Sequence, residues 1–167
     1  LKSVRPMLQD APDPGWILRA DVGRALDALP RLDLRFDALV TPAQLPALLA
    51  MIERHPDLDV VVDHGGKPAI ATGHLQPWAD LIAALAQLPR VHCKLSGLVT
   101  EADVRWTSGS LQPYVDHLLA CFGPDRLLWG SDWPVVNLGG GYRCWSAATA
   151  ALLAGVAAAQ RDAIMGL

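Results

Sequence analysis

Apolar positions along the chain alternate between two patterns. Short apolar runs rich in β-branched residues are each followed by a stretch in which apolar side chains recur every three or four positions. Val4–Leu8, Leu34–Val40, Leu58–Val62, Val91–Leu95 and Arg126–Gly130 read as strands. Leu58–Val62 is apolar at every position but Asp59, and its Val60-Val61-Val62 run is what a strand buried on both faces should show. Between them, helical spacing places Val22, Ala25, Leu26 and Leu29 on one face, with Asp21 as the predicted cap. Leu45, Leu48, Leu49 and Ile52 repeat that spacing behind Thr41-Pro42, a cap followed by a proline suited to a first helical turn. Trp78, Leu81, Ile82 and Leu85 form a third face. Leu111, Tyr114, Val115, Leu118, Leu119 and Phe122 form a fourth, with Ser110 as predicted cap. Trp145, Ala148, Thr149, Leu152, Leu153 and Val156 mark the last. Strand starts recur at roughly 25–35 residues, the size of a βαβ unit.

Five strand-then-helix units imply a parallel sheet covered by helices. Two closures satisfy that pattern, an open doubly wound sheet and a (β/α)₈ barrel, and periodicity does not separate them. No repeat, linker or low-complexity tract interrupts the 167 residues, so residues 1–167 read as a single domain. The chain opens at Leu1 directly into a strand pattern and stops just after a helical one, which reads as a piece of a longer protein.

Composition narrows the function classes. The chain is 51% hydrophobic and 19% charged, which excludes disorder. Its 14 Lys+Arg against 17 Asp+Glu, with no basic run, argue against a nucleic-acid partner. The longest near-apolar stretch, Ala147–Ala159, is too short to span a bilayer, so no membrane partner is expected. Cys93, Cys121 and Cys144 form no metal or disulfide spacing and read as reduced thiols of a cytoplasmic protein.

Ligands of parallel α/β folds bind beyond the carboxyl ends of the strands, so the residues there are the candidates. Arg5 and Gln9 lie in and after the first strand. Asp63-His64-Gly65-Gly66-Lys67-Pro68 follows the third, Lys94 and Ser96-Gly97 close the fourth, and Ser131-Asp132-Trp133-Pro134 follows the fifth. Ionisable groups beside apolar strands are costly unless paired or binding something, and that cost is most often met at functional sites. Asp132 suits a general base or metal ligand, against a turn aspartate that caps the next segment. His64 suits a water-polarising or metal-binding imidazole, against a loop histidine bonded to backbone. Lys67 and Arg5 suit anionic or carbonyl oxygens; the bland alternatives are a solvated lysine and a structural ion pair with Asp10. Lys94 is equally balanced, while His92 and Cys93 read as packing residues. Gly139-Gly140-Gly141 reads as a flexible connection. No phosphate loop, dinucleotide fingerprint or hydrolase serine elbow is present.

Val61-Val-Asp-His-Gly-Gly-Lys-Pro68, Cys93-Lys-Leu-Ser-Gly-Leu98 and Arg126-Leu-Leu-Trp-Gly-Ser-Asp-Trp-Pro-Val135, in that order, resemble the amidohydrolase-2 family, and within it the L-fuconolactonase and L-rhamnonolactonase-like sugar lactonases. The resemblance covers nearly the whole chain. It implies an α/β fold, the (β/α)₈ TIM barrel of metal-dependent hydrolases, with this chain supplying about strands four to eight. The family's His-x-His pair on strand one has no counterpart in these residues.

By position, Asp132 resembles the family's water-activating aspartate and His64 its strand-six histidine. Arg5, Gln9, Lys67 and Trp133 would line the substrate pocket. The implied chemistry is hydrolysis of a small-molecule lactone, an aldono-1,4-lactone of carbohydrate metabolism. One divalent metal, zinc, is compatible with His64 and Asp132 as ligands, although branches of the family need none. The alternatives are a decarboxylase or aromatic-pathway lactonase of the same family, and a non-catalytic barrel piece acting as an assembly module. A homo-oligomer is compatible with any of these.

Overall fold

A computed structural model describes residues 1–167. Five strands form one sheet: β1 (Ser3–Val4), β2 (Arg35–Ala38), β3 (Val60–Val62), β4 (Val91–Leu95) and β5 (Leu127–Trp129). Six helices accompany them: α1 (Ala20–Leu26), α2 (Leu45–Arg54), α3 (Trp78–Ala86), α4 (Ser108–Phe122), α5 (Gly141–Leu152) and α6 (Ala158–Met165). Every pairing is parallel, and the spatial order β1-β2-β3-β4-β5 is the chain order. A doubly wound sheet reverses direction at a switch point. This sheet never does, which makes it a singly wound arc of a (β/α)₈ barrel rather than an open doubly wound fold.

Strand alternation then decides what faces what. Phe36, Ala38, Val60, Val62, Val91, Cys93 and Leu95 are buried under the helices. The alternate residues Asp37, His92 and Lys94 stand on the concave face and are half-buried. In β3 all three valines are buried, matching the expectation for that run. The buried apolar side chains form one cluster of 37 residues between sheet and helices. No helix is long and apolar enough to cross a membrane.

Several boundaries differ from the sequence pattern for local reasons. The first strand pairs only over Ser3–Val4, because Pro6 has no N–H for a ladder and the chain turns into a helical turn at Leu8–Asp10. Asp21 lies inside α1 rather than capping it, and α1 ends at Leu26, so Leu29 reaches the core from the following turn. The α4 cap is Thr107, not Ser110. The two form a capping box, with Ser110 N donating to Thr107 Oγ1 (3.4 Å) and Thr107 N donating to Ser110 Oγ (3.0 Å). The last periodic stretch outruns its helix: α5 stops at Leu152, Leu153 and Val156 fall in the turn beyond it, and a further helix, α6, returns Ile164 to the core. Gly139-Gly140-Gly141 is no free connection. Gly139 packs so closely on Val99 that a Cβ there would lie 2.7 Å from a Val99 methyl, and Gly141 begins α5.

Two buried tryptophans tie this scaffold to the loops above it. Trp78 of α3 donates to Gly65 O (2.7 Å), and Trp145 of α5 donates to Gly130 O (2.9 Å). Each helix thereby fixes a carbonyl within two residues of a candidate side chain, His64 in one case and Asp132 in the other.

Candidate active site at the carboxyl ends of the strands

The residues after β3 and β5 converge. His64 Nε2 lies 3.5 Å from Asp132 Oδ1, and both side chains are almost covered, at 13% and 12% exposure. His64 and Asp132 both take left-handed backbone angles, φ 54° and 58°. Such angles are uncommon outside glycine and cost of order 1–3 kcal/mol, so surrounding structure must hold them. Around His64 that structure is visible. Ser96 Oγ sits 2.8 Å from His64 Nδ1. Gly97 backs the ring so closely that a Cβ there would stand 2.7 Å from His64 Cγ and Nδ1. The carboxylate beside Nε2 favours the tautomer with the proton on Nε2, leaving Nδ1 to accept from the Ser96 hydroxyl. Burial keeps the imidazole below its usual pKa, and Lys67 and Lys94 push the same way against Asp132 and Asp63. The neutral ring is therefore the resting form.

Beneath His64, the Asp63 side chain is fully buried. Neither of its oxygens accepts an aligned hydrogen bond. Its charge is met instead by Lys94 Nζ, 2.6 Å from Oδ1, and by Arg5, 3.6 Å from Oδ2. Lys94 also reaches Asp37 (3.3 Å), which accepts a hydrogen bond from Ser3 Oγ (3.0 Å).

The other predicted pocket residues divide. Arg5 pairs with Asp63 rather than Asp10, and its side chain remains half exposed. Lys67 is taken by Glu101 (2.7 Å), which closes the loop after β3 onto the loop after β4. Trp133 is 70% exposed beside Asp132. Gln9 is partly buried, and its backbone N–H donates to Leu39 O (3.0 Å). The His64–Asp132 pair is thus direct, and Arg5 joins it through Asp63.

Asp63 and Ser96 lie in the stretches the sequence singles out at the strand ends, but nothing there assigns them a role; Lys94 stays balanced, and Glu101 is not singled out. Strand alternation was the available signal for Asp37 and Lys94, since it puts both on the concave face. Nothing in the sequence pointed to Glu101.

The amidohydrolase family model matches residues 2–167. The chain belongs to the amidohydrolase family. An L-fucono-1,5-lactonase of Burkholderia ambifaria is 48% identical over 149 residues, covering 87% of this chain and 51% of the relative. A second L-fucono-1,5-lactonase, from Burkholderia multivorans, is 41% identical over 155 residues, covering 85% and 52%. A crystal structure of a Burkholderia multivorans amidohydrolase with bound zinc superimposes with a TM-score of 0.93 at 39% identity, covering 99% of this chain and 62% of that one. This amidohydrolase chain spans about half the length of the curated relatives it matches.

That zinc-bound relative makes the metal expectation testable on geometry. Catalytic zinc takes three protein ligands. Within this chain no group of three His, Cys, Asp or Glu side chains is placed to hold a metal. His64 and Asp132 are two donors, and Nδ1 of the histidine is engaged by Ser96. These residues by themselves do not make a zinc site.

Proposed function

We propose that this amidohydrolase opens an aldonolactone ring with water that Asp132 activates. The observation that carries the reading is the His64–Asp132 contact, held at the carboxyl ends of two barrel strands by strained, well-packed backbone. The names of the two lactonase relatives support the substrate class, and they favour a 1,5-lactone over the 1,4-lactone expected from the sequence.

In this mechanism a water stands within reach of an Asp132 oxygen. Asp132 takes its proton as the water oxygen bonds to the lactone carbonyl carbon. The carbonyl electron pair moves to oxygen. When the tetrahedral intermediate collapses, the bond to the ring oxygen breaks and Asp132 returns the proton to that oxygen. The product is the open aldonic acid. Neutral His64, its Nε2 3.5 Å from Oδ1, borders the carboxylate on one side. Arg5 keeps half its side chain free and is the available cation for substrate oxygens. Trp133 offers an exposed flat face to the sugar carbons.

The test is a lactone panel on the full-length protein, read by proton release and repeated with Asp132→Asn. Turnover of a fuconolactone or related aldonolactone, lost in the variant, supports the reading. Preference for an aromatic-derived lactone moves the protein to a sister activity. Activity within about tenfold of wild type in Asp132→Asn, roughly 1.4 kcal/mol of barrier, removes Asp132 as the base. No turnover of any lactone returns the assembly-module alternative.

A further inference from the structure

We infer that Lys94 is a positioning residue, acting on His64 through Asp63. Four observations carry it. Asp63 has no exposed side-chain surface and no aligned hydrogen bond. A buried charge in that state is sustained only by an opposite charge close by. Lys94 Nζ at 2.6 Å is its closest partner, and Arg5 at 3.6 Å is the weaker second. Asp63 is also the residue directly before His64, where the backbone leaves β3 and swings into the left-handed region.

The geometry makes Lys94 a rivet across three strands. It stands on the concave face of β4 and reaches Asp63 at the end of β3 and Asp37 in β2. Both contacts draw its ammonium toward carboxylates of the neighbouring strands. Without it, Asp63 keeps a buried charge with only Arg5 near, and that arginine is half exposed. The turn after β3 would then shift so that Asp63 could reach water. His64 follows Asp63 on the same strained turn, and only Ser96 at Nδ1 and Gly97 against the ring oppose its movement, so a shift of Asp63 carries the imidazole off Asp132. A displacement of that kind acts on the reacting geometry more than on substrate affinity.

The inference rests on the reading of His64 and Asp132 as the hydrolytic pair, so its test includes a readout independent of turnover. The full-length protein is labelled with ¹⁵N-histidine, and the His64 ring signals are assigned by their loss in His64→Ala. Spectra and lactone kinetics are compared for wild type, Lys94→Met, Lys94→Arg and the double variant Asp63→Asn/Lys94→Met. Lys94→Met is expected to move the His64 ring signals and to lower kcat about a hundredfold, the scale of a 1 Å misplacement, with KM nearly unchanged. Lys94→Arg keeps the charge and restores the wild-type ring signals. The double variant removes the uncompensated charge and recovers part of both readouts.

Unmoved His64 signals in Lys94→Met overturn the inference whatever the kinetics. A rise in KM with kcat preserved also overturns it, because Lys94 would then be touching substrate. Should Lys94→Met not fold, the double variant decides: wild-type-like ring signals support the inference, and displaced ones overturn it. A wild-type protein that turns over no lactone sinks the proposed function, yet the ring spectra still report on Lys94.

Discussion

Both ends of the sheet carry charge, but they carry it differently. At the amino ends of the strands lies a cavity of about 590 Å³, lined among others by Arg24, Arg31, Arg54 and His55. Its charges belong to the surface. Arg90 and Asp59, at the same end, pair at 3.0 Å with 51% and 41% of their side chains exposed. Arg24 and Arg54 sit in the last turns of α1 and α2, where basic residues suit the helix dipole. At the carboxyl ends a smaller cavity of about 370 Å³ opens between the loops after β4 and β5, beside Val99, Trp106 and Gly139, yet there Asp63 is sealed and His64 and Asp132 are nearly so. Three of the four non-glycine residues with positive φ, His64, Lys67 and Asp132, stand at that end; Asp33 is the fourth. Size of cavity points one way, and buried charge on strained backbone points the other. The second is the better guide, because solvent screens the exposed charges of the amino end, and the one residue of left-handed backbone there, Asp33, is itself exposed.

The comparison breaks first at the histidines. His64→Ala removes the ring that meets both Ser96 and Asp132, and should lower kcat about a hundredfold in the full-length protein. His92 lies on the same concave face two residues before Lys94, and His92→Ala should cost far less. Kinetics of the two variants side by side decide it. If His92→Ala proves the more damaging, the chemistry lies deeper on the concave face than the strand ends.

A smaller effect is expected from Gly97→Ala. Its φ of 65° is in the region that favours glycine, and the added methyl would meet His64 at 2.7 Å. The two penalties together should cost about 1–3 kcal/mol of stability, measured by urea unfolding. The variant should also lose activity beyond its fraction unfolded, because the ring that moves is the functional one. Gly123 has a similar φ of 66°, but a methyl there meets nothing within 4 Å. Gly123→Ala should therefore destabilise the protein without touching its chemistry.

The strand-end rule and the alternation of apolar runs made the fold order and the His64–Asp132 convergence legible before any coordinates. Each depends on local pattern plus one general rule about parallel sheets. Periodicity alone did not distinguish arc from doubly wound sheet, because strand order is a property of pairing and leaves no periodic trace; the family resemblance of the three motifs did. Nor did the sequence show Asp63 as the buried charge beneath His64. In the motif Asp63 looks like any polar residue closing a strand, and only the register that brings β4 beside β3 sets Lys94 against it. Lys67 is the reverse case. It carries the charge a substrate site needs, but Glu101, 34 residues later, has already claimed it.

The smallest expected effect is at the amino end. Arg90→Ala deletes the pair with Asp59 and should shift stability by at most about 1 kcal/mol, the range for exposed ion pairs. That shift should shrink as salt is raised, because both partners face solvent. Lactone turnover should stay at the wild-type rate, since this pair sits at the starts of β3 and β4 and His64 lies beyond the far end of β3. Urea unfolding at low and high salt, with kinetics on the same samples, measures all three. A loss of several kcal/mol, or one indifferent to salt, would mean that this end of the sheet also depends on sheltered charge. The contrast between the two ends would then no longer mark where the chemistry is.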